Sequence, residues 1–364
     1  MRIGNRQIGD GAPVYVIAEI GVNHDGSPQR ALQLIESAAW AGAEAVKFQL
    51  FRADLLMSRA SRLASYQKSA GEEDPVAMLR RLELSADQMA PLVDRAHALG
   101  IHAIVTVFSV ELVREAARLA WDAYKTASPD IVHRPLLGAV AGTGRAVIVS
   151  TGASEVAEVR RAAEWLGSAR ERLAMLQCVS SYPAAPADAA IGAMEALREI
   201  PGLRGRVGYS DHTRGVDTGE LAADAGACIL EKHLTHDRGA MGPDHAASLE
   251  PSEFRRYAEL ARDASVLRLR VGPEGPAPVD RRLGPPIKRV LDCERDVRAV
   301  SRQSVVARRA LAAGATLHGD DVTFKRPGTG LAPWRLEEAL GRRVVRAIEA
   351  DMPVMAADIE GVSP

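Results

Sequence analysis

From Val14 to Leu234 the chain alternates two hydrophobic patterns. Short runs rich in β-branched residues are separated by longer amphipathic runs of Ala, Leu, Glu and Arg, such as ALQLIESAAWAG and ELVREAARLAWD. The first pattern suits a strand buried on both faces and the second a helix with one apolar stripe, so the repeat reads as successive βα units. Eight strands are predicted: VYVIAEIG from Val14, AVKFQLF from Ala45, IHAIVTVFS from Ile101, AYKTAS from Ala123, RAVIVSTG from Arg145, LAMLQCVSSYP from Leu173, RVGYSDH from Arg206 and CILEKHL from Cys228. Eight parallel strands with intervening helices point to a closed α/β barrel, which carries its chemistry at the carboxyl ends of the strands. A six-stranded doubly wound sheet is the alternative.

After the helix-like FRRYAELARDASVLRL the pattern fades. The segment VGPEGPAPVDRRLGPPIKR is rich in Pro and Gly and has no apolar period, which reads as a linker. Short apolar runs broken by Gly, Pro and Asp then predict a small α+β module, too small for a strong core of its own and expected to dock. The expected division is a barrel domain over 1–271, a linker over 272–298 and the small domain over 299–364.

The 364 residues are 47% hydrophobic and 26% charged, enough to bury a full core. A formal net charge of -1 gives no bulk attraction to nucleic acid or an anionic membrane, so neither is an expected partner. Cys178, Cys228 and Cys293 are odd in number and widely spaced, which fits neither a disulfide framework nor a CxxC zinc site. No stretch approaches the roughly 18 apolar residues of a membrane span, and the first residues lack an apolar signal core. A cytoplasmic location is expected.

Polar residues interrupt the strands at their carboxyl ends. Glu19 ends the first, Lys47 and Gln49 lie on the second, and Thr106, Lys125, Ser128, Ser150, Ser180, Tyr182, Ser210, His212, Glu231 and His233 follow on the others. Ser210 and His212 are two apart and share a face, as do Glu231 and His233, so two imidazoles can meet in the mouth. Imidazole plus water suits a catalytic Mn2+ or Zn2+, whereas a closed structural zinc site wants four protein ligands. Two lysines and several hydroxyls converging there make an anion pocket. The competing reading makes these histidines hydrogen-bonded helpers and the lysines ordinary strand-end residues. Glu19 is different, because an unpaired acid in an apolar strand is expensive. Asp25, Gly26, Ser27 and Pro28, by contrast, read as a turn and helix start.

The motifs AEIGVNHDGS, VKFQ, YKTAS, STG, CVSSYPA, GYSDHT, ILEKH, GPDHAASLEP and KRPGTG, in this order, resemble the N-acetylneuraminate (sialic acid) synthase family, which includes the legionaminate and pseudaminate synthases. The resemblance spans nearly the whole chain. It implies a (β/α)8 TIM barrel followed by an antifreeze-like (SAF) domain, in a domain-swapped homodimer where each small domain caps the partner's site. It implies a divalent metal, usually Mn2+ with Mg2+ or Co2+ as substitutes, held by His212 and His233. The implied phosphoenolpyruvate pocket is Lys47, Thr106, Lys125, Ser128, Ser150, Ser180 and Ser210. Acceptor contacts match Gln49, Tyr182, Asp244 and Arg326, with Glu19 near the reacting atoms. Pro129 stands where the family commonly has glycine, Phe48 and Leu50 where some members have polar residues, and Ser180 where some have Asn.

The expected reaction joins phosphoenolpyruvate to N-acetylmannosamine or a related 2-acetamido sugar, giving a nine-carbon 2-keto-3-deoxy acid and phosphate. A Schiff-base aldolase using Lys125 and a synthase acting on a different aldehyde are the alternatives.

Overall fold

The computed structural model describes residues 1–271 and 280–363. Eight parallel strands close into one barrel: β1 (Tyr15–Glu19), β2 (Ala45–Leu50), β3 (His102–Val107), β4 (Ala123–Thr126), β5 (Ala146–Ser150), β6 (Leu173–Cys178), β7 (Val207–Asp211) and β8 (Ile229–His233). Each lies within its predicted run. Pairing of β8 with β1, from Ile229 opposite Tyr15 to His233 opposite Glu19, closes the ring and rules out the doubly wound sheet.

The two-residue period of the strands divides the residues between outside and inside. Outward-facing Val16, Ala18, Val46, Phe48, Val105 and Val147 pack beneath the helices. Phe48 lies 5.5 Å from the Trp121 ring and thus faces the helical layer. The helix Pro28–Trp40 shows how this layer is built. Ser27 accepts from the Arg30 backbone N–H, proline occupies the first turn, and Ala31, Leu34, Ile35 and Ala38 form the buried stripe.

Inside, each strand passes from apolar to polar along its direction. Tyr15, Ile17, Ala45, Ile104, Ala123, Ile148, Ala174, Leu176 and Ile229 plug the lower half together with Ile3 and Ile8 of the amino-terminal segment. Above them the same strands carry Glu19, Lys47, Thr106, Lys125, Ser150, Ser210 and Glu231, all buried. The plug is thus a floor, and the mouth is a polar chamber.

Two features go beyond one helix per connection. Between β2 and β3, the helices Ala53–Leu56, Ser65–Ser69 and Pro75–Leu82 form an insertion whose apolar cluster, including Phe51, Leu56, Met78, Leu79, Leu82 and Phe108, walls one side of the mouth. In addition, the predicted linker is only partly a tether. Residues 272–279 lie outside the described residues, but Lys288 and Glu294 are buried, and a helix covers Arg295–Ser301.

The small domain pairs β9 (Ser304–Ala307) with β10 (Val322–Lys325) antiparallel around its own core of Val305, Leu311, Leu317, Leu331, Val344 and Val354. Within the single chain it seats on its own barrel, whereas the resemblance implies capping of a partner's barrel. Arg326 N–H donates to Leu56 O (2.8 Å), and Arg326 O accepts from Ser58 Oγ (2.6 Å) and Ser61 Oγ (2.9 Å). Arg308 pairs with Glu111 at 3.0 Å. No helix among the described residues is long and apolar enough to cross a membrane.

Gly208 faces the barrel interior, where an added Cβ would collide with Ile229 O and come within 2.6 Å of Leu176 Cδ2. Gly208→Ala is expected to lower unfolding stability by about 1–3 kcal/mol through overpacking. Chemical denaturation at constant m-value measures it.

Candidate active site

All fourteen predicted site residues line one cavity at the mouth: Glu19, Lys47, Gln49, Thr106, Lys125, Ser128, Ser150, Ser180, Tyr182, Ser210, His212, His233, Asp244 and Arg326. The register explains the convergence. Glu19 lies opposite Lys47 on one side and His233 on the other, Gln49 opposite Thr106, Thr106 opposite Lys125, and Glu231 opposite Ser210. Alternation then turns these side chains inward at one level.

Charge at this level is shared. The Lys47 ammonium pairs with Glu19, donates to Thr106 Oγ1 (2.9 Å) and lies 3.8 Å from Glu231. Lys125 pairs with the other Glu231 oxygen at 3.2 Å, and Ser210 Oγ donates to that oxygen at 3.0 Å. Burial alone would raise the Glu231 carboxyl, but Lys125 and Lys47 outweigh it and hold it below the usual carboxylate range. Burial pushes the Lys47 ammonium down to about 7 against the pull of Glu231. Glu19 is anchored by the Gly21 N–H at 2.7 Å, and Gln49 donates to Gly21 O at 2.7 Å.

On the β5–β6 side the hydroxyls of Ser150 and Ser180 are buried without a hydrogen-bond partner among the described residues. Gly152 makes room for Ser180 and Ser128: a Cβ there would strike Ser180 Oγ and stand 2.9 Å from Ser128 Oγ and 3.1 Å from Cys178 Sγ. Free donors beside two ammonium groups are suited to an oxyanion.

The rings of His212 and His233 are neighbours, with centroids 5.5 Å apart and planes tilted by 54°. His212 Nδ1 is 2.8 Å from the Val179 carbonyl, which can only accept, so Nδ1 carries a proton; burial is outweighed by Cys178, the Val179 carbonyl and Glu231, which raise the ring's pKa, and Nε2 offers a lone pair when the ring is neutral. His233 Nδ1 is buried with no hydrogen-bond partner among the described residues. Burial, reinforced by His212 and the lysines, drives the His233 pKa well below the usual imidazole range, which leaves it neutral. Two imidazoles with unspent nitrogens in a polar chamber fit a divalent cation that keeps positions for water or substrate. Asp244 lies 3.9 Å from His233, its carboxyl raised by burial to about 6.

The outer wall contains residues not singled out in the sequence. Tyr66 stacks on Tyr182 with centroids 5.0 Å apart, and Tyr182 lies 4.1 Å from the His212 ring. Tyr66 comes from the insertion, where no periodic signal marks it. Cys178 brings its sulfur to 3.6 Å from His212 Nδ1, and it could have been found because it is two residues before Ser180 on an inward face. Glu231 was visible as a polar strand tip, but its place between the two lysines emerges only from the register. Arg326 enters over Phe108, 5.9 Å from the ring centroid, with the Asp130 carboxylate near it.

A closed parallel barrel with a polar chamber, roofed by a small β module that contributes an arginine, defines a two-domain barrel of the enzyme type. The chain belongs to the NeuB family: residues 34–269 match that family, and residues 302–360 match the SAF domain. It is similar to the N,N'-diacetyllegionaminic acid synthase of Legionella pneumophila, 35% identical with 98% of each chain covered. The enzyme of that name from Campylobacter jejuni is 33% identical over 92% of this chain and 97% of its own. Among solved structures, the spore coat polysaccharide biosynthesis protein SpsE of Bacillus subtilis superposes with a TM-score of 0.83 at 30% identity, covering 99% of this chain and 98% of that one.

Asp130 provides a test of how the small domain meets this wall. Its Oδ1 accepts from Gln303 Nε2 at 3.0 Å while Oδ2 has no hydrogen-bond partner among the described residues, and burial raises the carboxyl to about 7 against the opposing charge of Arg326. With a folded pKa above the unfolded value of about 3.9, this group's contribution is full below that value and is lost as pH rises through the folded pKa. Asp130→Asn retains the Gln303 acceptor and cannot ionise. Its melting temperature relative to wild type is therefore expected to climb from about pH 4 to about pH 8, as measured by thermal scans across that range.

Proposed function

We propose that this chain, in the cytoplasm, condenses phosphoenolpyruvate with the open-chain aldehyde of a 2-acetamido sugar, releasing phosphate and a nine-carbon 2-keto-3-deoxy acid. The observation that carries the reading is the meeting of Lys47, Lys125 and the Ser150 and Ser180 hydroxyls, unpartnered among the described residues, with two neighbouring imidazoles in one chamber. N-acetylmannosamine and a diacetamido sugar are the candidate acceptors, and the names of the Legionella and Campylobacter relatives favour the second.

In this reading His212 and His233 hold a divalent metal, Mn2+ with Mg2+ or Co2+ as substitutes. When bound, the ion supplies Lewis-acid polarisation of the acceptor's aldehyde oxygen. Lys47 and Lys125 neutralise the phosphate and carboxylate of phosphoenolpyruvate, and Ser128, Ser150, Ser180 and Ser210 orient its oxygens. Held so, C3 of phosphoenolpyruvate forms a bond to the aldehyde carbon. Water then adds at C2, and the tetrahedral product loses phosphate by C–O cleavage. Glu19, fixed by Gly21 N–H and paired with Lys47, orients a hydroxyl or moves a proton at the reacting centre. Gln49, Tyr182, Asp244 and Arg326 contact the sugar. Engagement of Lys125 with Glu231 at 3.2 Å weighs against a Schiff-base aldolase, which needs a free amine.

The small domain is proposed to exchange between two copies in a homodimer, forming in trans the same contacts the single chain makes in cis. Mixing Arg326→Ala with His233→Ala protomers should then restore activity, because one site of each mixed dimer has both residues intact. If the lid closes its own barrel, the mixture stays inactive.

The reaction itself is tested by phosphate release from phosphoenolpyruvate with Mn2+ and a panel of aldehyde acceptors, with products identified by mass spectrometry. Release should depend on acceptor and be abolished by chelator. Glu19→Gln should lower kcat by roughly 10²–10⁴-fold, the usual contribution of a positioned proton-transfer group. A borohydride-trapped adduct on Lys125, with activity insensitive to chelator, would replace this reading with the aldolase.

A further inference from the structure

Ser150 and Ser180 sit at the ends of adjacent strands, and the turns just beyond them are held from outside the barrel. Glu294, fully buried, comes from the connection between the two domains. Its Oε1 accepts from Ala153 N–H at 2.6 Å and from Ser180 N–H at 2.8 Å, while Oε2 accepts from Leu291 N–H at 2.9 Å. One carboxylate oxygen thus clamps the β5 and β6 turns together. Ala153 needs such a clamp, since its φ of 50° is in the left-handed region that an alanine disfavours.

The same turn is gripped a second time. Ala153 O accepts from Arg298 Nη1 (2.5 Å) and Arg302 Nη2 (3.2 Å), and both guanidinium groups pair with Glu158 at 2.8 and 2.6 Å. Arg298 belongs to the helix Arg295–Ser301, which leads directly into β9 of the small domain. Between them Gln303 donates to Phe108 O at 2.8 Å and to Asp130. Arg298, Arg302 and Gln303, which run into β9, thus tie the seat of the small domain to the turn after Ser150, and Glu294 ties that turn to the Ser180 N–H.

We infer that Glu294 is a positioning residue for phosphoenolpyruvate: it sets the spacing of the Ser150 and Ser180 turns and couples that spacing to docking of the small domain. The inference rests on the reading of this chamber as a phosphoenolpyruvate site. A brace with a purely structural role would change stability, or both substrates alike. A positioning role acts most strongly on the anion, because Glu294 bonds to the turns that carry Ser150 and Ser180 themselves, whereas of the sugar contacts Gln49 and Asp244 lie on other elements and Tyr182 and Arg326 are reached only through the β6 turn and the docked domain.

The experiment is steady-state phosphate release by the full-length protein, varying each substrate at saturation of the other. Glu294→Ala is expected to raise KM for phosphoenolpyruvate about 10–100-fold, with the acceptor KM raised by a clearly smaller factor. Glu294→Gln retains a carbonyl oxygen for the two N–H groups and should recover most of that loss. The double variant Arg298→Ala, Arg302→Ala should shift the same constant in the same direction by a smaller factor. If Glu294→Ala does not fold, the Arg298→Ala, Arg302→Ala double variant carries the test. Unchanged constants in folded Glu294→Ala or in the double variant, or equal increases for both substrates, would overturn the inference while leaving the reaction standing. Wild-type protein that releases no phosphate with any acceptor would instead overturn the functional reading, and this inference with it.

Discussion

Four charged side chains withdrawn from water inside a barrel are the constraint on which the rest of the structure depends. Glu19, Glu231, Lys47 and Lys125 are all nearly inaccessible, and charges so placed persist only where each is paired and hydrogen-bonded. The barrel meets this by register: β1 faces β2, β7 faces β8, and Glu231 is shared between both lysines while Ser210 satisfies it further. No single lysine is neutralised by a carboxylate of its own at short range on every side. Because Glu231 is shared between two ammonium groups, an incoming anion competes with one Glu231 oxygen for each lysine rather than with a dedicated pair on both.

That arrangement requires a dry floor and a closable roof. The floor is the Ile, Leu and Ala plug beneath the polar level, whose tight packing around Gly208 leaves no room for an added methyl. The roof is divided. Its fixed part is the apolar wall of the 53–82 insertion, and its docked part is the small domain, whose Arg326 is held by backbone bonds to Leu56, Ser58 and Ser61. Pinning the main chain of Arg326 leaves its guanidinium available to the chamber, so the arginine arrives aimed without spending its charge on the interface.

How much of this was legible depends on whether a residue's partner is set by local period or by distant packing. The eight strands were readable because β-branched runs and amphipathic runs alternate, and because the polar tips at Glu19, Lys47, Thr106, Lys125, Ser150, Ser210 and His233 break apolar strands at a consistent end. Period two then brought those tips to one face, and the chamber gathers them. The insertion was not readable: its helices are short, its apolar residues answer to Phe108 and Val22 on separate loops, and Tyr66 has no periodic neighbour to mark it. Glu231 was readable as a position but not as the hub of the charge network, since the register between β7 and β8 lies in no local pattern.

The segment between the domains is the clearest case of information that composition hides. Pro and Gly content and the lack of an apolar period describe a tether, yet Glu294 within it is as buried as any core residue and bonds to two turns more than a hundred residues away in sequence. A single buried carboxylate accepting backbone N–H groups leaves no hydrophobic signature, because its partners are main-chain atoms common to every residue. Its strength comes from charge-assisted bonds to donors that have no alternative once buried. The left-handed Ala153 held at the other end shows the same logic from the barrel side: the turn adopts an unfavourable backbone because bonds from outside fix it. Where a site is completed by a second domain, the residues that touch the chamber follow strand periodicity. Those that couple chamber to lid follow backbone hydrogen bonding, and only the folded chain displays them.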